Sequence, residues 1–320
     1  MTNRAICLKY REQYGWDMPT LKLARILYKN ENLSFASLEA ARTALRSLEG
    51  KSDTKAKVIK TIDNRPLNPY NLPASDEINY TPFVINAKKL LVLSDIHIPY
   101  HSVEALSAAI QWAKKEKPDS ILLNGDCLDF FGLSRYAKDP KKRSFAHELK
   151  AFKDFIDVLK KEFNAKLYFK IGNHEERYFH FLWMKAGELD GVDEFDLSNI
   201  IMARAEGIDV IKDKRIIKAG DLNIIHGHEY PSAFSPVNIA RGLFTRAKVS
   251  AMQGHNHQTS EHTETDMNGK IVTTYSVACL SELHPLYLPL NKWNNGFALV
   301  EIDGKEFHVQ NKRIYKGKVL

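Results

Sequence analysis

The sequence predicts an α/β domain preceded by a small all-helical unit, and three observations carry that expectation. From residue 89 onward, short apolar runs alternate with amphipathic stretches of helical period, the pattern of buried strands joined by helices. Residues 1 to 50 contain no such run and read instead as three short helices. Between them, residues 51 to 84 are rich in Lys, Asp, Asn, Pro and Ser, include Arg65-Pro66-Leu67-Asn68-Pro69, and read as a linker to a domain spanning 85 to 320. A chain of 320 residues with 44% hydrophobic content is long enough for about two domains and a sizeable core.

A first helix is expected from about residue 3 to 13. Asp17-Met18-Pro19 offers a cap and an early-turn proline to a second, amphipathic one from Thr20 to Tyr28. Ser34 or Ser37 can cap a third, whose Leu38, Ala41, Leu45 and Leu48 form an apolar stripe ending at Gly50, with Arg42 and Arg46 on a solvent-facing side. Three short helices with a basic third one resemble a helix-turn-helix module, which implies that Arg42 and Arg46 meet DNA or RNA; a packing or dimerisation module is the competing reading. Downstream, Lys89 to Ser94, Asp119 to Asn124 and Lys166 to Ile171 read as buried strands, separated by helices over Val103 to Lys114 and 145 to 162 and followed by one over 175 to 187. Leu222 to Ile225, Ile271 to Ser276 and Gly296 to Ile302 read as further strands, with Asp303-Gly304 turning the last into Glu306 to Val309.

Composition excludes several function classes. Cys7, Cys127 and Cys279 are widely spaced and form no CxxC pair, so neither a disulfide framework nor a thiolate zinc site is indicated, and a reducing, cytoplasmic setting is expected. No apolar stretch at the start suits a signal peptide or membrane span, so no membrane partner is expected. The net charge is +7, but residues 1 to 60 hold twelve Lys and Arg against six acids, leaving only about +1 for the rest. That asymmetry points to an electropositive N-terminal unit suited to an anionic partner or simply to solvent.

The chemistry lies in five clusters, each just after an apolar run: Asp95-Ile96-His97, Gly125-Asp126-Cys127-Leu128-Asp129, Gly172-Asn173-His174-Glu175, His226-Gly227-His228 and Gly254-His255-Asn256-His257. At strand ends these side chains leave the sheet and can converge from separate loops. Carboxylate oxygen, amide oxygen and neutral imidazole are donors for Mn, Fe, Zn or Ni. On an extended backbone Asp95 and His97, His226 and His228, and His255 and His257, each two residues apart, point to one side.

The order DxH, GDxxD, GNHE, His-Gly, GHxH, matched from Asp95 to His257, resembles the calcineurin-like metallophosphoesterases. The resemblance implies a two-sheet β-sandwich flanked by helices, with two divalent metal ions, manganese first among the candidates, between the strand ends. By motif, Asp95, His97, Asp126 and His257 would hold one ion, and Asp126, Asn173, His226 and His255 the other, with Asp126 as the bridge. Two cations about 3.5–4 Å apart acidify a shared water and neutralise phosphate oxygens, so a Ser or Cys nucleophile is not needed. His174 would contact the phosphate and protonate the leaving oxygen, and Asp129 would orient it. Arg177 is a candidate for a phosphate oxygen, in competition with pairing to Glu175 or Glu176. His228 and His101 are candidates for substrate contact, and Phe130, Phe131 and Tyr136 for a cleft wall or core packing.

Such a site specifies the reaction class, not the substrate. The basic helical unit tied to the hydrolase makes a nucleic-acid-associated phosphodiesterase or nuclease the leading expectation. A phosphomonoesterase acting on proteins or small molecules, and a catalytically inert metal binder, are the alternatives; a homo-oligomer is left open.

Overall fold

The computed structural model describes residues 2–49, 70–73, 80–135, 144–230, 237–285 and 287–320. The chain divides into two compact units, Met1–Ile78 and Asn79–Leu320. Most of the expected linker, Gly50 and Tyr136 lie outside the described residues.

In the first unit, helices α1 (Asn3–Tyr14), α2 (Thr20–Asn30) and α3 (Leu38–Leu48) bury Ile6, Cys7, Tyr10, Leu23, Ala24, Leu27, Phe35, Ala41, Leu45 and Leu48 in a shared core. Ser37 caps α3 through its hydroxyl, which accepts from Ala40 N at 3.1 Å. The cap expected from Asp17 is absent, since α2 follows Pro19 and has no side-chain cap. Arg11 braces the turn that precedes α2 instead. Its guanidinium is 1% exposed, donates to Gly15 O (3.1 Å) and Met18 O (2.7 Å), and pairs with Glu49, which also accepts from Thr20 Oγ1 at 2.6 Å. One buried ion pair thus ties the ends of α1 and α3 to the start of α2. Arg11→Met leaves the Glu49 carboxylate buried without its cation, so we expect a loss of about 3–5 kcal/mol from this unit, recovered in large part by Arg11→Met with Glu49→Leu. Urea unfolding followed by circular dichroism measures both.

The second unit contains strands β1 (Phe83–Val84), β2 (Lys89–Leu93), β3 (Ser120–Asn124), β4 (Lys166–Lys170), β5 (Asp209–Ile211), β6 (Ile217–Ala219), β7 (Leu222–Ile224), β8 (Ala251–Gln253), β9 (Ser260–Thr265), β10 (Ile271–Ser276), β11 (Asn295–Asp303), β12 (Glu306–Tyr315) and β13 (Lys318–Val319). They form two sheets, ordered β13-β12-β11-β2-β3-β4-β5 and β1-β6-β7-β8-β10-β9. Helices α4 (Val103–Glu116), α5 (Phe145–Glu162), α6 (Glu176–Lys185), α7 (Leu197–Ile200) and α8 (Ile239–Ala247) complete the unit. Strands β2, β3, β4 and β5 pair in parallel, while β11 joins β2 antiparallel.

Alternation explains why the central strands read as unbroken apolar runs. Leu91, Leu93, Ile121, Leu123, Leu167, Phe169, Phe297 and Leu299 share a core with Ala105, Ala109, Phe152, Ile156 and Leu159 of α4 and α5. Leu90, Val92, Leu122, Tyr168, Ala298 and Val300 share another with Ile217, Leu222, Ile224, Met252 and Tyr275 of the second sheet. Both faces are therefore buried, one by helices and one by a sheet, which gives the sandwich its layers.

The sequence reading lacks β1, β5, β6, β8 and β13, strands of only two or three residues that carry little pattern, and lacks β9 because Ser260–Thr265 has no apolar alternation. The residues read as linker up to 84 also end in structure: Phe83 and Val84 pair with Ile217 and Lys218. Among the described residues no helix is long and apolar enough to cross a membrane.

Candidate metal centre

The clusters follow β2, β3, β4, β7 and β8, and their backbone is not extended as expected. Asp95 (φ 54°), His97 (φ 53°), Asp126 (φ 51°), His255 (φ 65°) and His257 (φ 56°) all adopt the left-handed conformation, which L-residues with side chains hold only when surrounding structure imposes it. The imposing contacts are close. A Cβ on Gly172 would lie 2.3 Å from Asp126 Oδ1, and one on Gly254 would lie 2.0 Å from Ser94 Oγ, so glycine at both positions lets the loops meet.

Within this frame the donors converge. Asp95 Oδ2 accepts from Ser94 Oγ (2.5 Å) and His255 N (2.9 Å), which leaves Oδ1, 3.2 Å from His257 Nε2, facing inward without a hydrogen bond. His97 Nε2 lies 3.3 Å from His257 Nε2. Asp126 Oδ2 lies 3.3 Å from His226 Nε2, 3.8 Å from His174 Nε2 and 4.0 Å from His97 Nε2. Asn173 Oδ1 is 3.3 Å from His226 Nε2. Asp95, His97 and His257 form one group that could hold a metal ion, and Asp126, His226 and His255 another, with Asp126 also grouped with His97 and His174.

The outward nitrogens explain which ring atoms face in. His97 Nδ1 pairs with Asp129 Oδ1 at 3.1 Å and His226 Nδ1 donates to Asn124 O at 2.8 Å, presenting each Nε2 to the centre. Burial opposes charge on His226 and His257, but Asp126 and Asp95 respectively outweigh it and raise both to about 10. Burial opposes ionisation of Asp95 too, yet His226 and His257 lower it to about 2. Burial and the His226 charge lower His255 to about 4, and its buried Nδ1 has no hydrogen bond among the described residues. Carboxylates and inward imidazole nitrogens this close fit a hard or borderline divalent cation, whose charge would replace the protons the acids now attract.

Asp129 serves two rings. His174 Nδ1 lies 3.1 Å from Asp129 Oδ1 and 2.9 Å from Asp129 O. Burial opposes the charge on Asp129, yet its hydrogen bonds to His174 and His97 hold it below the usual carboxylate range. Burial likewise opposes charge on His174, and Asp126 outweighs it and raises that ring. Arg177 pairs with neither Glu175 nor Glu176; it donates to Asp129 O (2.6 Å) and sits 3.0 Å from His174 Nε2. His228 is turned away to Glu176 Oε1 (3.1 Å), and His101 forms a strand bridge with Ser281. Phe130 is core, packed on Phe145 and Tyr178.

Two devices escaped the sequence reading. Glu175 is 0% exposed and accepts four backbone N–H groups, from Cys127 (2.8 Å) and Leu128 (2.9 Å) on one oxygen and from Asp126 (3.0 Å) and Gly172 (2.8 Å) on the other. Glu229 receives His226 N (3.0 Å) and Gly227 N (2.6 Å) and pairs with the buried Lys170 at 2.8 Å. The signal for both was a charged residue inside an apolar or motif stretch, which has meaning only once its partners are known.

Behind Asp129, Glu148 of α5 accepts from Phe130 N at 2.8 Å, and burial raises its carboxyl to about 7. The folded state then holds this proton more tightly than the unfolded chain, so the contribution is intact below about pH 4.5 and is lost as pH rises through 7. Glu148→Gln keeps the acceptor and removes the titration. Relative to the variant, the wild type is expected to lose on the order of 1–3 kcal/mol between about pH 5 and pH 8, read from thermal midpoints across that range.

A family model for calcineurin-like phosphoesterases matches residues 88–259. The Gene 54 proteins of Mycobacterium phages L5 and D29 are 26% and 25% identical to the chain over 246 residues, covering 72% of it and 96% of each phage protein. Among solved structures, Vacuolar Protein Sorting 29 from Cryptosporidium parvum is similar at 15% identity and a TM-score of 0.40, covering 73% of this chain and 95% of that one.

Proposed function

The chain belongs to the calcineurin-like phosphoesterase family, and on that premise we propose that it is a two-metal phosphodiesterase or nuclease acting on nucleic acid. The observation that carries the two-metal part is Asp126, whose Oδ2 lies among His97, His174 and His226 and which belongs to ligand groups on both sides. Asp95, His97, His257 and Asp126 would hold one ion, and Asp126, Asn173, His226 and His255 the other. When bound, a divalent pair, manganese or else iron, zinc or nickel, supplies Lewis acidity to the phosphate ester and to the hydrolytic water.

The chain's own groups do the rest. Asp129 holds the proton on His174 Nδ1 and fixes the ring, so that Nε2, facing Asp126, is the atom that meets a phosphate oxygen and passes a proton to the leaving oxygen. Arg177, beside that nitrogen, adds a guanidinium donor for a second oxygen. Cys127 cannot compete as nucleophile, because burial, with Glu175, raises its thiol well above the ordinary value.

The nucleic-acid part rests on the first unit. Arg42 is engaged with Glu39 on its own helix, but α2 exposes Lys22, Arg25 and Lys29 at i, i+3 and i+7, one basic stripe along a helix face. The test is turnover by metal-stripped, manganese-reconstituted protein of a phosphomonoester, a phosphodiester, and single- and double-stranded DNA and RNA. Polynucleotide cleavage is expected, with the logarithmic salt slope of binding reduced by roughly 2–3 when Lys22, Arg25 and Lys29 become Glu. Turnover confined to the monoester, unchanged by that triple substitution, would make the protein a phosphatase instead.

A further inference from the structure

The rim of the metal centre carries aromatic rings that ligand positioning does not require. The segment after β10 is bonded to the centre at both ends: Leu280 N donates to Asp95 O (3.1 Å), Glu282 N to Tyr100 O (2.9 Å) and Asn294 N to His257 O (2.9 Å). Between those anchors Asn291 Nδ2 donates to Leu283 O (2.6 Å) and Leu288 O (2.9 Å), its Oδ1 accepts from Trp293 N (2.9 Å), and His284 Nδ1 donates to Pro289 O (3.0 Å). A loop braced this way is shaped before anything binds to it.

It uses that shape to display rings. Trp293 packs on the ring of His257 with centroids 4.2 Å apart, and Tyr287 stands edge-on to Trp293 at 6.4 Å. Tyr287 is nonetheless 73% exposed. Tyr287 is thus an exposed ring on a braced loop, backed edge-on by the half-buried Trp293, which in turn contacts a metal-ligand ring, and its open face can take a third flat ring.

We propose that Tyr287, backed edge-on by Trp293, forms the platform on which the nucleobase of the substrate stacks while its phosphate occupies the ligand cluster. This rests on the phosphoesterase reading above and names its substrate class. Stacking reads any base by its π face, so the platform selects nucleotides over aliphatic phosphate esters without selecting a sequence. Of the aromatic residues weighed from the sequence, Phe130 cannot serve, since it is fully buried among Phe145 and Tyr178.

The experiment compares two non-hydrolysable probes, the methylenephosphonate analogues of AMP and of ribose 5-phosphate, by calorimetry on the full manganese-loaded chain. The base-bearing probe is expected to bind at least about tenfold more tightly, the ratio to fall within about threefold of one in Tyr287→Leu, and to be restored in Tyr287→Phe. A wild-type ratio near one, or a ratio that survives Tyr287→Leu, would overturn the platform. Turnover of the substrate panel reads the other premise separately: turnover with a ratio near one removes only the platform, and base-dependent binding without turnover removes only the hydrolase.

Discussion

Asp126→Asn is expected to fold like the wild type and to lose at least about 10³-fold in kcat on any phosphate ester the protein hydrolyses. The carboxylate is 2% exposed, its Oδ1 accepts from His174 N at 2.8 Å, and its Oδ2 faces three imidazole nitrogens. An amide can keep the first interaction. It cannot supply the negative charge that holds the inward nitrogens together and that is the largest favourable influence raising His226 and His174 against burial. With that charge gone, a cation shared between the two ligand groups loses its common anionic ligand, so metal content should fall in parallel. Elemental analysis of metal per chain and single-turnover rates measure the two effects, and near-ultraviolet dichroism checks the fold. Wild-type metal content with a rate within about tenfold of wild type would show that Asp126 does not bridge.

Glu175→Ala carries the largest stability effect expected for the second unit. Four backbone N–H groups that now share one carboxylate would be left buried without an acceptor, at about 1–3 kcal/mol each and less than additive in sum. A total on the order of 4–6 kcal/mol is a large part of the stability of a typical domain, and should lower the midpoint by roughly 8–24 °C. Glu175→Gln is expected to cost less but still to distort the loop, because its NH₂ end would face two donors. Burial and the Asp126 charge raise the Glu175 pKa although four N–H groups favour its ionised form, so the carboxylate is held in place against its own electrostatic surroundings. Calorimetric unfolding of the metal-free protein measures the effect without the contribution of bound cations. A midpoint shift under about 3 °C would mean that the Asp126 loop finds other acceptors.

Much of the molecule is legible in the chain itself. Leu90 to Leu93, Ile121 to Leu123 and Leu167 to Phe169 are apolar at nearly every position because both faces of the central sheet are buried, and a short continuous run between turn signals fits a central strand better than a half-exposed one. The ligand clusters stand out because Asp, Asn and His directly after such runs are chemically conspicuous, and the order of the five spacings resembles one family. The direction of their side chains does not follow from the extended backbone expected for them. Asp95 and His97 reach the same site by left-handed φ, imposed by loops that meet across the sheet, and not by strand alternation.

Sequence alone therefore determined the α/β class and the family and singled out candidate metal donors, since these depend on local pattern and on the chemistry of residue types. Tertiary structure decided everything that requires two distant segments to meet. It set which nitrogen of His97 and His226 faces inward, because Asp129 and Asn124 O take the other one. It made Glu175 and Glu229 clamps on ligand loops, joined Arg11 to Glu49 across 38 residues, and brought Trp293 onto His257 with Tyr287 edge-on to Trp293. A buried polar group has a role only in relation to the partner that satisfies it, and the partner is chosen by the fold.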